Sequence, residues 1–189
     1  MSKTKQGRYM TRFKLYLKAL PVLLVLLLSG CLGMPKSVTP IQTFDVNEYL
    51  GTWYEIARLD HSFERGLTHV TATYSFKEDG GVKVINRGYS AQEGEWQQAE
   101  GKAYFVNEPN EGYLKVSFFG PFYGSYVIFY LDPAGQYAFI SGPDHEYLWL
   151  LSRTPTVDDS VKQQFIKISQ EKGFDTKQLI FVDQTSGLD

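Results

Sequence analysis

The sequence predicts an all-β domain: eight antiparallel strands in an up-and-down barrel, one C-terminal α-helix packed outside it, and a short closing strand. Three observations carry this. Apolar stretches of strand length recur at roughly 10- to 15-residue intervals, broken by Gly, Pro and Asn. The clearest of them alternates with period two. Only one stretch shows helical periodicity, and it comes after the strands, so no βαβ alternation of a nucleotide-binding fold is present.

The N-terminus precedes this pattern and differs from it in charge. Residues 1–30 carry Lys3, Lys5, Arg8, Arg12, Lys14 and Lys18 and no acid, which leaves 13 basic against 21 acidic residues beyond, a balance of −8. An acidic body with scattered cations is a poor nucleic-acid binder, because phosphate neutralisation needs clustered positive charge. The basic segment leads into ten apolar residues, Ala19 to Leu28. Ten is too short for a bilayer core, which takes about 20 helical residues, and it fits a secretory signal peptide over 1–30.

Leu28-Ser-Gly-Cys31 follows, and Cys31 is the single cysteine of the chain. The four residues resemble a bacterial lipobox, which implies that Cys31 is acylated and becomes the first mature residue. Two or more acyl chains, palmitate among them, anchor stably where one does not. The sorting rule for such lipoproteins, with Leu32 after the cysteine, implies the outer membrane. Residues 31–43 read as acylated cysteine and tether, with two prolines and little pattern. The domain is expected over 44–189. Its size lets it bury about 70% of its unfolded surface, so it needs no disulfide or metal.

Trp53–Leu59 is the first expected strand. Val70, Ala72, Tyr74 and Phe76 alternate with Thr71, Thr73 and Ser75 in the second, and Glu78-Asp-Gly-Gly81 turns the chain into a third at Val82 and Val84. Further strands fit Trp96–Val106, Tyr113–Phe119, Tyr126–Leu131, Tyr137–Ser141 and Tyr147–Ser152. Thr156-Val-Asp-Asp159 reads as the capped start of the helix, Val157, Val161, Phe165 and Ile168 as its apolar stripe, and Gly173 as its stop. Leu179–Val182 is the closing strand.

Three stretches now carry a family resemblance. Gly51-Thr-Trp53 resembles the first lipocalin motif, Trp149-Leu-Leu-Ser-Arg153 the third, and Leu131-Asp132 with Tyr137-Ala138 a degraded second. Gly-Thr-Trp-Tyr-Glu-Ile-Ala-Arg (51–58), Val-Ser-Phe-Phe-Gly-Pro-Phe-Tyr-Gly (116–124) and Leu-Ser-Arg-Thr-Pro-Thr (151–156) look like the bacterial outer-membrane branch of that family, relatives of apolipoprotein D. The resemblance covers residues 44–183. It implies that Gly51, Trp53, Asp132 and Arg153 are structural: the guanidinium lies over the indole at the closed end of the barrel, a stack worth ~1–2 kcal/mol when partly desolvated.

Alternation nominates Val70, Ala72, Tyr74, Val84, Leu114, Val116, Phe118, Tyr126, Ile128, Tyr147 and Trp149 as interior-facing, with Tyr123 as a further ligand contact. An eight-stranded barrel is either filled by such side chains or holds one small ligand. The wealth of Tyr and Trp favours an amphipathic guest, and the resemblance implies a fatty acid or lysophospholipid, held for storage, transport or envelope maintenance. Arg58, Arg87 and Lys102 are the candidate cations for its head group. The strand register required to bring Arg153 to the base places Trp149 on the inner face and Leu148 and Leu150 on the outer, under the helix. The aromatic loop Phe118–Gly124 suits a lid, a membrane contact or a homodimer interface.

No catalytic, metal or cofactor site is expected. His61, His69 and His145 lack ligand spacing, Ser117, Ser125 and Ser141 lack a nucleophile elbow, and Glu55, Asp60 and Glu64, which could pair, read as solvated acids of an acidic surface. Lipocalin-type isomerases use a barrel cysteine, which is absent. The alternatives to lipid binding are an envelope structural or interaction lipoprotein with a filled barrel, and a lipid-modifying enzyme.

Overall fold

A computed structural model describes residues 32–187, so the expected signal peptide and Cys31 lie outside the described residues. Its barrel is built from β1 (Gly51–Arg58), β2 (Leu67–Phe76), β3 (Val82–Ser90), β4 (Glu95–Phe105), β5 (Tyr113–Ser117), β6 (Gly124–Leu131), β7 (Tyr137–Ser141) and β8 (Leu148–Ser152). Each strand pairs antiparallel with the next, and β1 pairs with both β8 and β2, which closes the sheet. A ninth strand, β9 (Ile180–Phe181), adds to β1 from outside, at Ala57 and Arg58. The expected fold class is the observed one.

Two apolar layers explain this architecture. Trp53, Ala72, Tyr74, Val84, Leu114, Ile128, Ile140 and Leu151 pack inside the barrel. Ile56, Ala57, Val127, Phe129, Phe139, Leu148 and Leu150 form an outer layer with Phe165 of the C-terminal helix. β6, β7 and β8 are therefore apolar on both faces, as a strand covered by a helix must be. That helix, α2 (Asp159–Glu171), sets Phe165 into the layer with Val157, Val161 and Ile168 beside it, as the stripe requires. Its start differs from expectation. Asp158 is the N-cap residue and makes no side-chain cap bond, while the Thr154 hydroxyl donates to the Thr156 carbonyl at 2.7 Å, so Thr156 belongs to a preceding turn. The helix does stop at Gly173, whose φ of +89° reverses the chain.

One end of the barrel is plugged. A four-residue helix, α1 (Val46–Tyr49), capped by Asp45 accepting from the Asn47 amide, lies beneath Trp53. Arg153 stacks on Trp53 at 3.9 Å from the ring centroid and donates to the carbonyls of Thr52 (3.1 Å) and Glu48 (2.7 Å). Gly51 beside it has φ of +94°, and a Cβ there would meet Arg153 at 3.4 Å. Asp132 accepts from the amides of Ala134 and Gln136 and so shapes the β6–β7 turn at this same end. The loops 59–66, 91–94, 118–123 and 142–147 then lie at the opposite end, the mouth.

Residues 32–43 carry no helix or strand, yet they are docked rather than slack. Pro35, Val38 and Pro40 are buried. The Gly33 amide donates to Ser125 Oγ at 2.9 Å, Ser37 Oγ donates to the Lys172 carbonyl at 2.5 Å, and Ile41 exchanges backbone bonds with Ile128 and Gly112. The stretch read as a tether runs along the domain from mouth to floor.

Candidate functional site

The interior grades from dry to accessible. Trp53, Ile128, Ala138 and Ile140 are wholly buried, whereas Val116, Phe118, Tyr126 and Trp149, packed on the same layer, are half-buried. Along β4 exposure is continuous from Glu95 to Glu100 and ends at Gly101, so solvent reaches the upper part of that wall. Of the nominated interior residues, Ala72, Tyr74, Val84, Leu114, Val116, Phe118, Tyr126, Ile128 and Trp149 meet in one layer. Leu148 and Leu150 point outward under α2, the register expected from Arg153.

Val70 is buried toward the mouth from this inner layer, against Gly88 on the β3 face that also carries Val84 and Asn86, where a Cβ would meet it at 3.1 Å. Two nominees lie elsewhere. Tyr147 stacks on His61 at 4.1 Å in the mouth loops. Tyr123 packs near Tyr104 and Lys115, side chains of the outer wall, and not in the cup. The head-group cations are also redistributed. Arg87 covers the outer face of Trp96 at 3.8 Å, and Lys102 is exposed on the face of β4 opposite Gly101 and Ala103. Arg58 is 1% exposed and is no rim charge.

Two polar devices interrupt the apolar lining. Near the floor, the Tyr126 hydroxyl bonds those of Tyr49 (2.7 Å) and Tyr74 (2.9 Å). Burial raises all three phenols, Tyr74 to about 12, so they remain neutral hydrogen-bonding groups. Nearer the mouth is a buried cluster that sequence reasoning missed. The register shift in β1 between Glu55 and Ala57 turns Ile56 and Ala57 outward and returns Arg58 to the side of Glu55. Arg58 Nη1 donates to Glu55 Oε1 at 2.6 Å, and Nη2 donates to the carbonyls of Glu64 and Leu67. Glu64, from the β1–β2 loop, accepts from the Trp149 indole N–H at 3.0 Å.

One guanidinium here faces two buried carboxyls. Burial raises both acids; the Arg58 charge opposes this for both, aided at Glu55 by the short hydrogen bond, and Glu55 itself pushes Glu64 further up. Glu64 therefore holds its proton to higher pH than an exposed carboxyl does. Arg58 Nε and Asn86 Oδ1 are buried without a hydrogen-bond partner, and Asn86 shares the face of Val82 and Val84. A bulge in β1, a loop acid and a Trp from β8 meet here, which no local pattern announces. The adjacency of Glu55, Arg58 and Glu64 in sequence was the only available signal.

The three histidines serve separate places: His61 stacks under Tyr147, His69 contacts Ser186, and His145 contacts the Lys172 carbonyl. No group of three or more metal-ligating side chains converges among the described residues.

Against this geometry the comparisons are consistent. The family model described as a lipocalin-like domain matches residues 44–184. The chain is 64% identical over 164 residues to outer membrane lipoprotein Blc of Vibrio cholerae, covering 86% of this chain and 96% of that protein. It is 56% identical over 150 residues to the Escherichia coli protein of the same name, covering 79% and 85%. Among solved structures, insecticyanin from the tobacco hornworm Manduca sexta superposes with a TM-score of 0.65 at 20% identity, covering 82% of this chain and 88% of that one, a likeness of fold.

Proposed function

Since the chain belongs to the lipocalin family, we propose that it is an outer-membrane lipoprotein, anchored through acylated Cys31, that binds a fatty acid or lysophospholipid in its barrel. The graded interior carries this reading: above a filled apolar floor, half-buried Val116, Phe118 and Trp149 line the accessible upper part of the barrel, where an acyl chain would lie with its head group near solvent. The names of the Vibrio and Escherichia relatives support the location and the anchor, and Cys31 follows the lipobox-like Leu28-Ser-Gly. The role is binding and carriage rather than catalysis. Glu55 and Glu64 are tied to Arg58 and Trp149, which suits a structural clasp better than proton transfer to a substrate.

The apolar lining and neutral phenols suit a single acyl chain with a small polar end. Extraction of the purified protein with organic solvent, followed by mass spectrometry, tests this. Recovery of a stoichiometric fatty acid or lysophospholipid is expected; a protein that neither carries nor takes up lipid would instead be an envelope interaction lipoprotein with a filled barrel.

A further inference from the structure

The described chain begins at the mouth. Gly33 is tied to Ser125, near the start of β6, and Ser37 to Lys172 and His145 beside the β7–β8 loop. Only from Ile41 onward does the segment reach the closed half, at Gly112 and Ile128. Cys31 is one peptide unit from Leu32, a Cα separation of about 3.8 Å. An acyl anchor there has no slack: docked residues follow it almost at once.

The mouth is also where exposed apolar surface collects. Phe63 of the β1–β2 loop is 61% exposed, Phe119 and Phe122 of the β5–β6 loop 79% and 57%, and Leu32 48%. The two loops stand on different sides of the barrel, separated by β3 and β4 one way round and by β7 and β8 the other. At the closed end Phe76 is the large apolar side chain left exposed among the described residues. Single exposed hydrophobics need no explanation, but a set gathered on one rim, beside the chain's point of attachment, marks a contact surface.

We propose that the mouth of the barrel docks on the bilayer that holds the anchor, with Phe63, Phe119, Phe122 and Leu32 seated in its interfacial layer, so that lipid passes between membrane and cup without crossing water. This rests on the acylation of Cys31. The partner is a lipid surface because the chain outside the described residues leads from the rim through a single residue to the expected acyl chains. Aromatic side chains seat well at the head-group boundary. The body's acidic excess gives no attraction to an anionic surface, so the contact rests on the apolar side chains.

The test uses the full lipoprotein, purified from membranes and reconstituted into vesicles of phosphatidylethanolamine and phosphatidylglycerol. Phe63→Cys, Phe122→Cys and, at the closed end, Ala134→Cys each receive an environment-sensitive thiol fluorophore. Spin-labelled phospholipid is the quencher, and intact mass reports the acyl chains. The labels at 63 and 122 are expected to shift to the blue and to quench severalfold more than the label at 134. Equal or stronger quenching at 134, or unquenched rim labels in protein whose mass includes the acyl chains, overturns the docking alone. Rim labels that shift but stay unquenched, in proportion to protein density, mean that a second copy covers the rim and also overturn it. A mass without acyl chains overturns the anchor, and rim quenching on bound vesicles then decides the docking by itself.

Discussion

Arg58 is a charged side chain buried to 1% exposure. Its guanidinium is held by Glu55 and by two backbone carbonyls inside the barrel wall, so Arg58→Ala leaves two carboxyls in a low-dielectric site. A loss of roughly 3–5 kcal/mol, read from urea unfolding, is expected. Glu64 gives a pH signature. Its folded-state proton is held more tightly than at the ordinary value of 4.5, because burial disfavours the charge. Between that value and the raised one, the folded protein binds a proton that the unfolded chain has released. Stability therefore falls as pH rises through this window. Unfolding midpoints of Glu64→Gln against pH should show a flatter decline than the parent, since the amide keeps the neutral form. At the floor, Arg153→Ala removes a cation–π stack and two hydrogen bonds, and should cost about 2–3 kcal/mol in the same assay. Arg153→Lys should lie between, lacking the flat fork.

At the scale of elements, the strands were legible because one face of each must be apolar. The period-two pattern of Val70, Ala72, Tyr74 and Phe76 marks β2, and the register shift between Thr68 and Thr71 leaves it in phase. The register of β8 was legible from Arg153, whose place at the base sets the facing of every residue back to Tyr147. The interior cations were not. A one-residue bulge in β1 decides that Arg58 turns inward, and bulges leave no periodic trace. Residues 32–43 misled for a related reason: Pro-rich chain without alternation reads as slack, although Pro35, Val38 and Pro40 bury their surface against the domain. A soluble form starting at Phe44 strips this cover. Set against one starting at Leu32, it should unfold at lower urea, by roughly 2–4 kcal/mol, the burial of two or three apolar side chains less the ordering of the segment.

For the whole molecule, one barrel assigns separate tasks to its two ends. The closed end uses Trp53, Arg153, Gly51 and α1 to seal the sheet, and the C-terminal segment completes the wall where β1 and β2 part: Gln184 Nε2 donates to the carbonyls of Glu55 and Val70. The mouth keeps its aromatic side chains half-buried or exposed. The central claim is that an acyl chain lies along the inner face of β8, against Trp149. The direct measurement is tryptophan emission in a Trp53→Phe, Trp96→Phe protein titrated with a fatty acid brominated along its chain. Saturable quenching of Trp149 is predicted, with Trp149→Ala weakening acyl binding by roughly 1–3 kcal/mol while the barrel stays folded. Bound lipid that leaves Trp149 emission unquenched, or an affinity unchanged in Trp149→Ala, would contradict the account.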